Sequence, residues 1–338
     1  MTSASSPTAA PSGQRPGVQS QQRPALARIL LPPGAGPLLV LILFWVIFAT
    51  TTGPFLTPRN ISLIFQQSVV LGTLAIGQTV IILTAGIDLA AGGVTVLATI
   101  IVGRLVFAGH DPVLCILLSF LVCTLIGFAA GGLVSFVRLP PFIVPLGILG
   151  IVTAATHLFS LGTTYAVNND LVALFGNGFT IGGAKVTLGV VAMLLLYAVV
   201  AFALTQTEWG RHIYAIGDNP SAARLVGINV RLKLLSVYVV ATFIYALGAW
   251  FALGRIPSAD PNALQTANLD SITAAVIGGA SLFGGRGGVL GTLIGTLIVA
   301  SLRNGLTLQG IDPLWQDLVT GVLVIVAVTA DQLYRGRP

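Results

Sequence analysis

Residues 205–233 read TQTEWGRHIYAIGDNPSAARLVGINVRLK, and this 29-residue polar stretch separates two long apolar runs. The preceding run ends near Leu204 and the following run begins near Leu234. Apolar runs that reach about 18 residues are long enough to cross a bilayer as helices. The stretch therefore predicts a membrane protein with one folded polar loop, and a loop of this kind most often docks a soluble partner.

The whole chain has the composition of a membrane protein. Of its 338 residues, 55% are apolar and only 8% are charged, and the mean hydropathy is +0.96. Soluble domains carry about 25% charged residues. The net charge is +6, but the basic residues lie between apolar runs, so they indicate membrane topology and we expect no nucleic-acid partner.

The apolar runs predict an all-α polytopic membrane protein with about ten transmembrane helices. Their approximate bounds are 37–55, 61–83, 89–108, 113–136, 141–160, 186–204, 234–253, 271–284, 288–303 and 314–331. Basic residues concentrate in cytoplasmic segments. With the N-terminus inside, eleven Lys and Arg residues lie in inner segments and five in outer ones. This asymmetry predicts an N-in/C-in orientation and places residues 205–233 in the cytosol.

The sequence divides into three parts. Residues 1–36 are rich in Ser, Pro, Gln and Ala, cannot bury a core, and predict a disordered cytoplasmic N-terminal tail. Residues 37–331 form the transmembrane domain, and residues 332–338 form a short cytoplasmic C-terminal tail. The larger outer segments are 161–185 and 254–270. They are either the place for an external partner or simple polar connectors.

A short helix is predicted inside the polar loop. Asn219 is a good N-cap, Pro220 fits the first helical turn, and Gly227 suits a left-handed C-terminal stop. Ile228 is placed to make the apolar contact that accompanies such a stop. A helix of two turns is not stable alone in water. It therefore packs on the floor of the membrane domain, fits a groove on a partner, or lies on the surface as an amphipathic helix without a partner.

The loop sequence GRHIYAIGDNPSAARLVGINV (210–230) resembles the cytoplasmic coupling loop of a known transporter family. That family comprises the permeases of ribose/xylose/arabinose-type ATP-binding-cassette importers. Three further segments resemble it in the same order: LTAGIDLAAGG (83–93), LDSITAAVIGGASLFGGRGGVLGTLIG (269–295) and RNGLTLQGIDPLWQDLVTGVLVIVAV (303–328). The resemblance extends from about residue 60 to the end of the chain.

The resemblance implies a set of partners and a location. Two permease subunits, identical or paralogous, would form a sugar pathway across the bacterial inner membrane. A cytosolic ABC ATPase would drive transport, and a periplasmic or lipid-anchored binding protein would deliver the sugar. The helix around Pro220 to Val226 would insert into a cleft of the ATPase. The residues that match the family's loop are Glu208, Gly210, Arg211, Gly217, Asn219, Ala222, Ala223 and Gly227.

Asp88 lies between two apolar runs with almost no polar linker. A carboxylate at bilayer depth costs about 3 kcal/mol, so it should have a partner or face water. One interpretation is a helix break that lines a pathway, with Gly86 supplying the backbone freedom. The other is a tight cytosolic turn in which Asp88 caps a helix that begins near Leu89.

Two amides share one face of the helix predicted at 61–83. Gln67 and Gln78 are related by the three-and-four spacing of a helix, and an amide facing lipid would have no hydrogen-bond partner. Amides suit an uncharged polyol, so Gln67 and Gln78 are candidate pathway residues together with Asp88. Packing against a neighbouring helix explains the same pattern.

Motifs for enzymatic chemistry are absent from the sequence. The segment GGRGG (284–288) lacks the lysine and hydroxyl of a phosphate loop, and no Walker motif occurs elsewhere. The three histidines are dispersed, so we expect no metal site and no cofactor. Glycines repeat at four-residue spacing at 127 and 131 and at 287, 291 and 295, a pattern typical of close helix packing. The chain is therefore predicted to be a non-enzymatic transport subunit.

A secondary transporter driven by an ion gradient is the alternative function. Such carriers usually place several ionisable residues inside the membrane. Asp88 is the one candidate that the sequence singles out, whereas the folded cytosolic loop favours coupling to an ATPase.

Overall fold

The computed structural model describes residues 35–335 and contains thirteen α-helices and four short strands in that range. The predicted tail at 1–36 lies almost wholly outside the described residues, as does the end of the predicted tail at 332–338. The elements in chain order are α1 (Ala35–Thr51), α2 (Pro58–Ile82), α3 (Ala91–Phe107), α4 (Pro112–Gly132), α5 (Ile143–Ser160), β1 (Tyr165–Ala166), α6 (Asp170–Ala173), β2 (Gly178–Ile181), β3 (Ala184–Thr187), α7 (Leu188–Gln206), α8 (Glu208–Asp218), α9 (Pro220–Leu225), α10 (Val230–Arg255), β4 (Ser258–Ala259), α11 (Ala267–Ile277), α12 (Val289–Leu308) and α13 (Pro313–Arg335).

Every one of the ten predicted apolar segments contains a helix. Six of these helices are long and apolar enough to cross a membrane, namely α2, α4 with the π-helical turn that follows it, α5, α7, α10 and α12. The apolar parts of α1, α3, α11 and α13 are shorter. Large apolar side chains are exposed along α4, including Leu117, Leu121 and Leu125, as expected of a helix that faces lipid.

The connections between these ten helices alternate between two ends of the bundle. One end, the loop end, contains residues 83–90, 138–142, 207–229 and 278–288. There Gly285 N–H donates to the Leu83 carbonyl oxygen at 3.0 Å, and the Tyr214 hydroxyl donates to the Gly287 carbonyl oxygen at 2.8 Å.

The opposite end, the hairpin end, contains residues 52–57, 108–111, 161–187, 256–259 and 309–312. Strands β2 and β3 form an antiparallel hairpin there. Strands β1 and β4 pair with Tyr165 opposite Ala259, which joins the two larger segments that the sequence predicts to be outer. The prediction of an all-α chain is correct for the bundle and misses these four strands, each of which has only two to four residues.

The glycine pairs at four-residue spacing pack helices closely, as predicted. A Cβ atom at Gly131 would lie 3.0 Å from the backbone of Leu235 in α10, and one at Gly295 would lie 1.9 Å from the Ala274 carbonyl oxygen in α11. Gly287 does not belong to such a packing surface, because it lies in the connector before α12 with φ +109°.

The boundary prediction of 271–284 for one helix is wrong at both ends. Helix α11 spans Ala267–Ile277, and the residues that follow form a glycine-rich turn. Gly279, Gly284 and Gly285 have φ of +94°, +82° and +71°, a region that ends a right-handed helix.

Candidate functional site

The polar loop 205–233 folds as two helices, α8 and α9, and sequence reasoning predicted only the second. Helix α9 has the predicted caps. The Asn219 side-chain oxygen accepts from the N–H groups of Ser221 and Ala222, both at 3.0 Å. At the other end Gly227 has φ +86°, and Ile228 N–H donates to the Ala223 carbonyl oxygen at 3.1 Å. These bonds satisfy backbone groups that a two-turn helix leaves unpaired.

Helix α8 anchors the polar loop to the helix bundle. Its Ile213 and Ile216 side chains are buried. The Trp209 indole N–H donates to the Ser236 hydroxyl of α10 at 2.9 Å, and the Tyr214 hydroxyl reaches the Gly287 carbonyl oxygen. Burial raises the pKa of the Tyr214 phenol, so this donor keeps its proton at neutral pH.

Helix α9 has one buried face and one exposed end. Ala223 is buried, with 3% of its surface exposed, and packs with Ile216 and Val230. Leu225 and Val226 are 89% and 77% exposed. The helix therefore packs on the floor of the domain through Ala223 and presents two large apolar side chains to the solvent.

Leu225 and Val226 are functional candidates that sequence reasoning missed. The predicted helix contained them, but only as residues that favour helix formation. Helical spacing carried the signal for Leu225, because a residue two positions after buried Ala223 leaves the buried face, whereas Val226 is the C-cap at the end of the helix. Because Ala223 is buried, a substitution there would disturb the packing of α9 itself, so exposed Leu225 is the better probe of a partner contact.

Gly210 and Gly217 have a steric reason to be glycine. A Cβ atom at Gly210 would lie 2.1 Å from the carbonyl oxygen of Leu204 at the end of α7. One at Gly217 would lie 1.9 Å from the Leu83 carbonyl oxygen and 2.5 Å from the Gly285 nitrogen. Both glycines permit a backbone approach that any side chain would prevent.

The eight loop residues with a family match thus divide into two groups. Gly210, Gly217 and Ala223 are buried and position the loop. The other five are exposed, namely Glu208, Arg211, Asn219, Ala222 and Gly227. The carboxylate of Glu208 lies 3.5 Å from the His212 Nδ1 atom.

Asp88 and Gln78 contact each other in the interior. Asp88 is 3% exposed, and its Oδ1 atom accepts from the Ala90 N–H at 2.7 Å. With its amide oriented to satisfy both partners, Gln78 donates to the Asp88 carbonyl oxygen at 3.0 Å and accepts from the Asp88 N–H at 3.1 Å. The Tyr245 phenol lies beside the carboxylate. Neither Asp88 nor Gln78 lines the two cavities described below.

The segment 83–90 combines the two interpretations of Asp88. It is not helical, so α2 and α3 are separated by a break, and Asp88 bonds the backbone just before α3 begins at Ala91 rather than near Leu89. Gly86 does not supply the left-handed residue. Ala85 does, with φ +61°, while a Cβ atom at Gly86 would lie 2.9 Å from the Ile81 side chain.

A cavity of about 470 Å³ opens near the hairpin end, and half-buried Gln67 lies in its wall. Elements α2, α3, α10, α11 and α12 and the connector 256–266 contribute the other lining residues. Of the two predicted pathway amides, Gln67 faces this cavity and Gln78 does not.

A three-residue ion-pair cluster lies beside this cavity, and sequence reasoning did not predict it. One Nη atom of Arg303 contacts Oδ1 of Asp270 and Oδ1 of Asp317, both at 2.9 Å, and the Thr266 hydroxyl at 3.2 Å. The cluster ties α11, α12 and α13 together. The sequence does place a charged residue in each of three apolar helices. Charges in such positions usually pair, so this pattern could have predicted the cluster.

Comparison with known proteins identifies a transport family. A family model described as "Branched-chain amino acid transport system / permease component" matches residues 60–328. The fructose import permease protein FrcC of Rhizobium meliloti is 44% identical over 310 residues, which cover 90% of this chain and 86% of FrcC. No solved structure matches the chain significantly.

Other relatives transport different sugars. The ribose import permease protein RbsC of Bacillus subtilis is 34% identical, with 88% of this chain and 92% of RbsC covered. The galactose/methyl galactoside import permease protein MglC of Escherichia coli is also 34% identical, with 88% and 93% covered. The chain is thus a multi-pass membrane protein that belongs to the family of transport-system permease components matched over residues 60–328.

Proposed function

We propose that this protein is the transmembrane permease subunit of an ATP-binding-cassette importer in the bacterial inner membrane. Its solute is a monosaccharide or a similar polyol, and a separate cytosolic ATPase supplies the energy. The names of the relatives, which are fructose, ribose and galactose import permeases, support this assignment. The matched family's description refers to branched-chain amino acids, so an amino acid is the competing solute class.

The proposed topology has ten spans with both termini inside. The alternation of connections between the two ends of the bundle supports it, because ten antiparallel helices return the chain to its starting side. The four shorter helices cross with help from the connectors that fold back into the bundle, such as 83–90 and 256–266. The count of eleven basic residues inside and five outside orients the loop end toward the cytosol.

The proposal that an ATPase docks at the loop end rests on the geometry of helix α9. It is anchored through Ala223 and capped by Asn219, and it leaves Leu225 and Val226 exposed. Two large apolar side chains at the tip of a fixed helix suit an apolar groove on a partner. Because α8 joins α9 to two other loop-end connectors, 83–90 and 278–288, closure of the partner would move these segments as a unit.

The hairpin end is the proposed docking face for a periplasmic or lipid-anchored sugar-binding protein. The β1–β4 pair holds the segments 161–185 and 254–270 together, so they present one surface. A second permease copy or a paralogue would complete the pathway within the lipid bilayer.

The proposal is tested with Leu225→Asp. We expect the variant to insert normally, to lose co-purification with the ATPase subunit, and to lose sugar uptake. Leu314→Asp is the matched control, because Leu314 is 78% exposed at the hairpin end. It should retain ATPase association. Normal uptake by Leu225→Asp, or uptake that stops with an uncoupler while ATP is maintained, would favour the ion-gradient carrier instead.

A further inference from the structure

A second cavity, of about 310 Å³, lies between α3, α5 and the connector 256–266. Its volume is at the lower end of the range of about 300–1,000 Å³ for small-molecule sites. Six of its lining residues have polar side chains, and none is Asp, Glu, Lys or Arg. The six are Thr153, Thr156, His157, Asn262, Gln265 and Asn268.

The hydrogen-bonding groups of this cavity are largely unused. Thr156 is 2% exposed, and its hydroxyl has no hydrogen-bond partner among the described residues. Asn268 uses its side-chain oxygen to accept from the Gly92 N–H at 2.6 Å, which leaves its amide nitrogen to donate. An unpaired buried hydroxyl is unfavourable, so a ligand hydroxyl at Thr156 would relieve that cost.

The connector holds its polar residues in a fixed turn. Oδ1 of Asp260 accepts from the Asn262 N–H at 2.9 Å, and the Ala263 N–H donates to the Asp260 carbonyl oxygen at 3.1 Å. Leu264 has φ +55°, and it and Ala263 line both cavities. The turn thereby separates this cavity, which we call the neutral cavity, from the larger one. In the larger cavity Arg303 and Asp270 form an ion pair.

The neutral lining discriminates between the two solute classes. A free amino acid carries an ammonium group and a carboxylate, and burying both costs most where no side chain of opposite charge faces them. A sugar offers only hydroxyl donors and acceptors, which amide and hydroxyl side chains satisfy. We infer that the cavity between α3, α5 and the connector 256–266 is a binding site for an uncharged polyol, with Thr156 and Gln265 among its hydrogen-bonding residues. This inference rests on the proposed function.

The test uses the complete transporter in lipid nanodiscs, with Leu149→Cys as the reporter. Leu149 is a half-buried apolar residue of the cavity wall. The native Cys115 and Cys123 are 2% and 0% exposed, so they should not compete for N-ethylmaleimide. We expect D-fructose, D-ribose or D-galactose to slow alkylation at position 149 at least threefold, and L-leucine to leave the rate unchanged.

Two further variants test the assigned residues. Thr156→Val and Gln265→Leu should each raise the sugar concentration needed for protection by about threefold to tenfold, the effect of one lost hydrogen bond. Gln67→Leu makes the matched amide-to-alkyl change in the larger cavity and should leave protection intact.

Several outcomes would overturn the inference. They are protection by leucine equal to that by sugar, absence of protection in a transporter that imports the sugar, and greater sensitivity to Gln67→Leu than to Thr156→Val. A transporter that imports leucine and none of the sugars would instead contradict the proposed function.

Discussion

The Gly285 N–H donates a hydrogen bond of 3.0 Å to the carbonyl oxygen of Leu83, and this bond joins two connectors that are 202 positions apart in the sequence. Gly217 of α8 packs directly against the same pair of atoms. The α2–α3 connector, the α11–α12 connector and the polar loop therefore meet at one point. We expect a displacement of α9 to reach the neighbouring helices through this junction.

Gly217→Val should break this junction. Its Cβ atom would lie 1.9 Å from the Leu83 carbonyl oxygen, so the backbone must shift at a cost of about 1–3 kcal/mol. We expect lower thermal stability and loss of coupled ATP hydrolysis. Gly132→Ala is the control, because its Cβ atom has nothing within 4 Å. Equal stability and activity of the two variants would show that the junction is not tight.

Asn219→Ala should weaken α9 by about 1 kcal/mol through loss of its N-cap, which lowers the equilibrium constant for helix formation about fivefold. ATPase affinity and uptake should decrease, and Asn219→Asp should restore both. The matched control is Asn169→Ala, which removes a cap with the same two-bond pattern from α6 at the hairpin end. If both alanine variants reduce ATPase affinity alike, the cap of α9 has no special role.

Asp88→Asn should leave uptake nearly unchanged, because asparagine keeps the oxygen that accepts from the Ala90 N–H. Gln78→Leu should be more damaging, since it leaves the buried N–H and C=O groups of Asp88 unpaired at about 1–3 kcal/mol each. Thermal unfolding and uptake, measured in parallel, separate the two effects. A large loss of uptake in Asp88→Asn with normal stability would instead assign the charge a role in transport.

Asp270→Asn should destabilise the protein more than Asp317→Asn, although both carboxylates lie 2.9 Å from the same Arg303 atom. The Asp270 side chain is 10% exposed and that of Asp317 is 39% exposed. Solvent screens the second pair, so we expect about 1–3 kcal/mol for Asp270→Asn and less than about 1 kcal/mol for Asp317→Asn. Comparison of their melting temperatures in nanodiscs checks the order, which equal shifts would contradict.

The sequence predicted features that depend on neighbouring residues. The apolar runs located the ten apolar helices, and Asn219, Pro220 and Gly227 located α9, because spanning length and capping are local properties. Gly127, Gly131, Gly291 and Gly295 were recognised as packing residues from spacing alone. The prediction of a helix at 271–284 failed because the glycines of this short segment permit a turn as readily as a helix.

Features that depend on distant residues were not predictable in this way. The Arg303 cluster joins three helices, and the neutral cavity joins α5 to a connector about 100 positions later in the chain. Leu225 and Val226 could be assigned an exposed position only once Ala223 was known to pack on the floor. The role of Gly217 required the position of Leu83, far away in the sequence.

The most direct test of the account is the labelling of Val226→Cys by a membrane-impermeant thiol reagent, with and without the bound ATPase subunit. Val226 is 77% exposed, whereas both native cysteines are buried. We expect labelling in inside-out vesicles but not in intact cells, and at least tenfold slower labelling when the ATPase is bound. Labelling from the outer face, or an equal rate with the ATPase in place, would contradict the account.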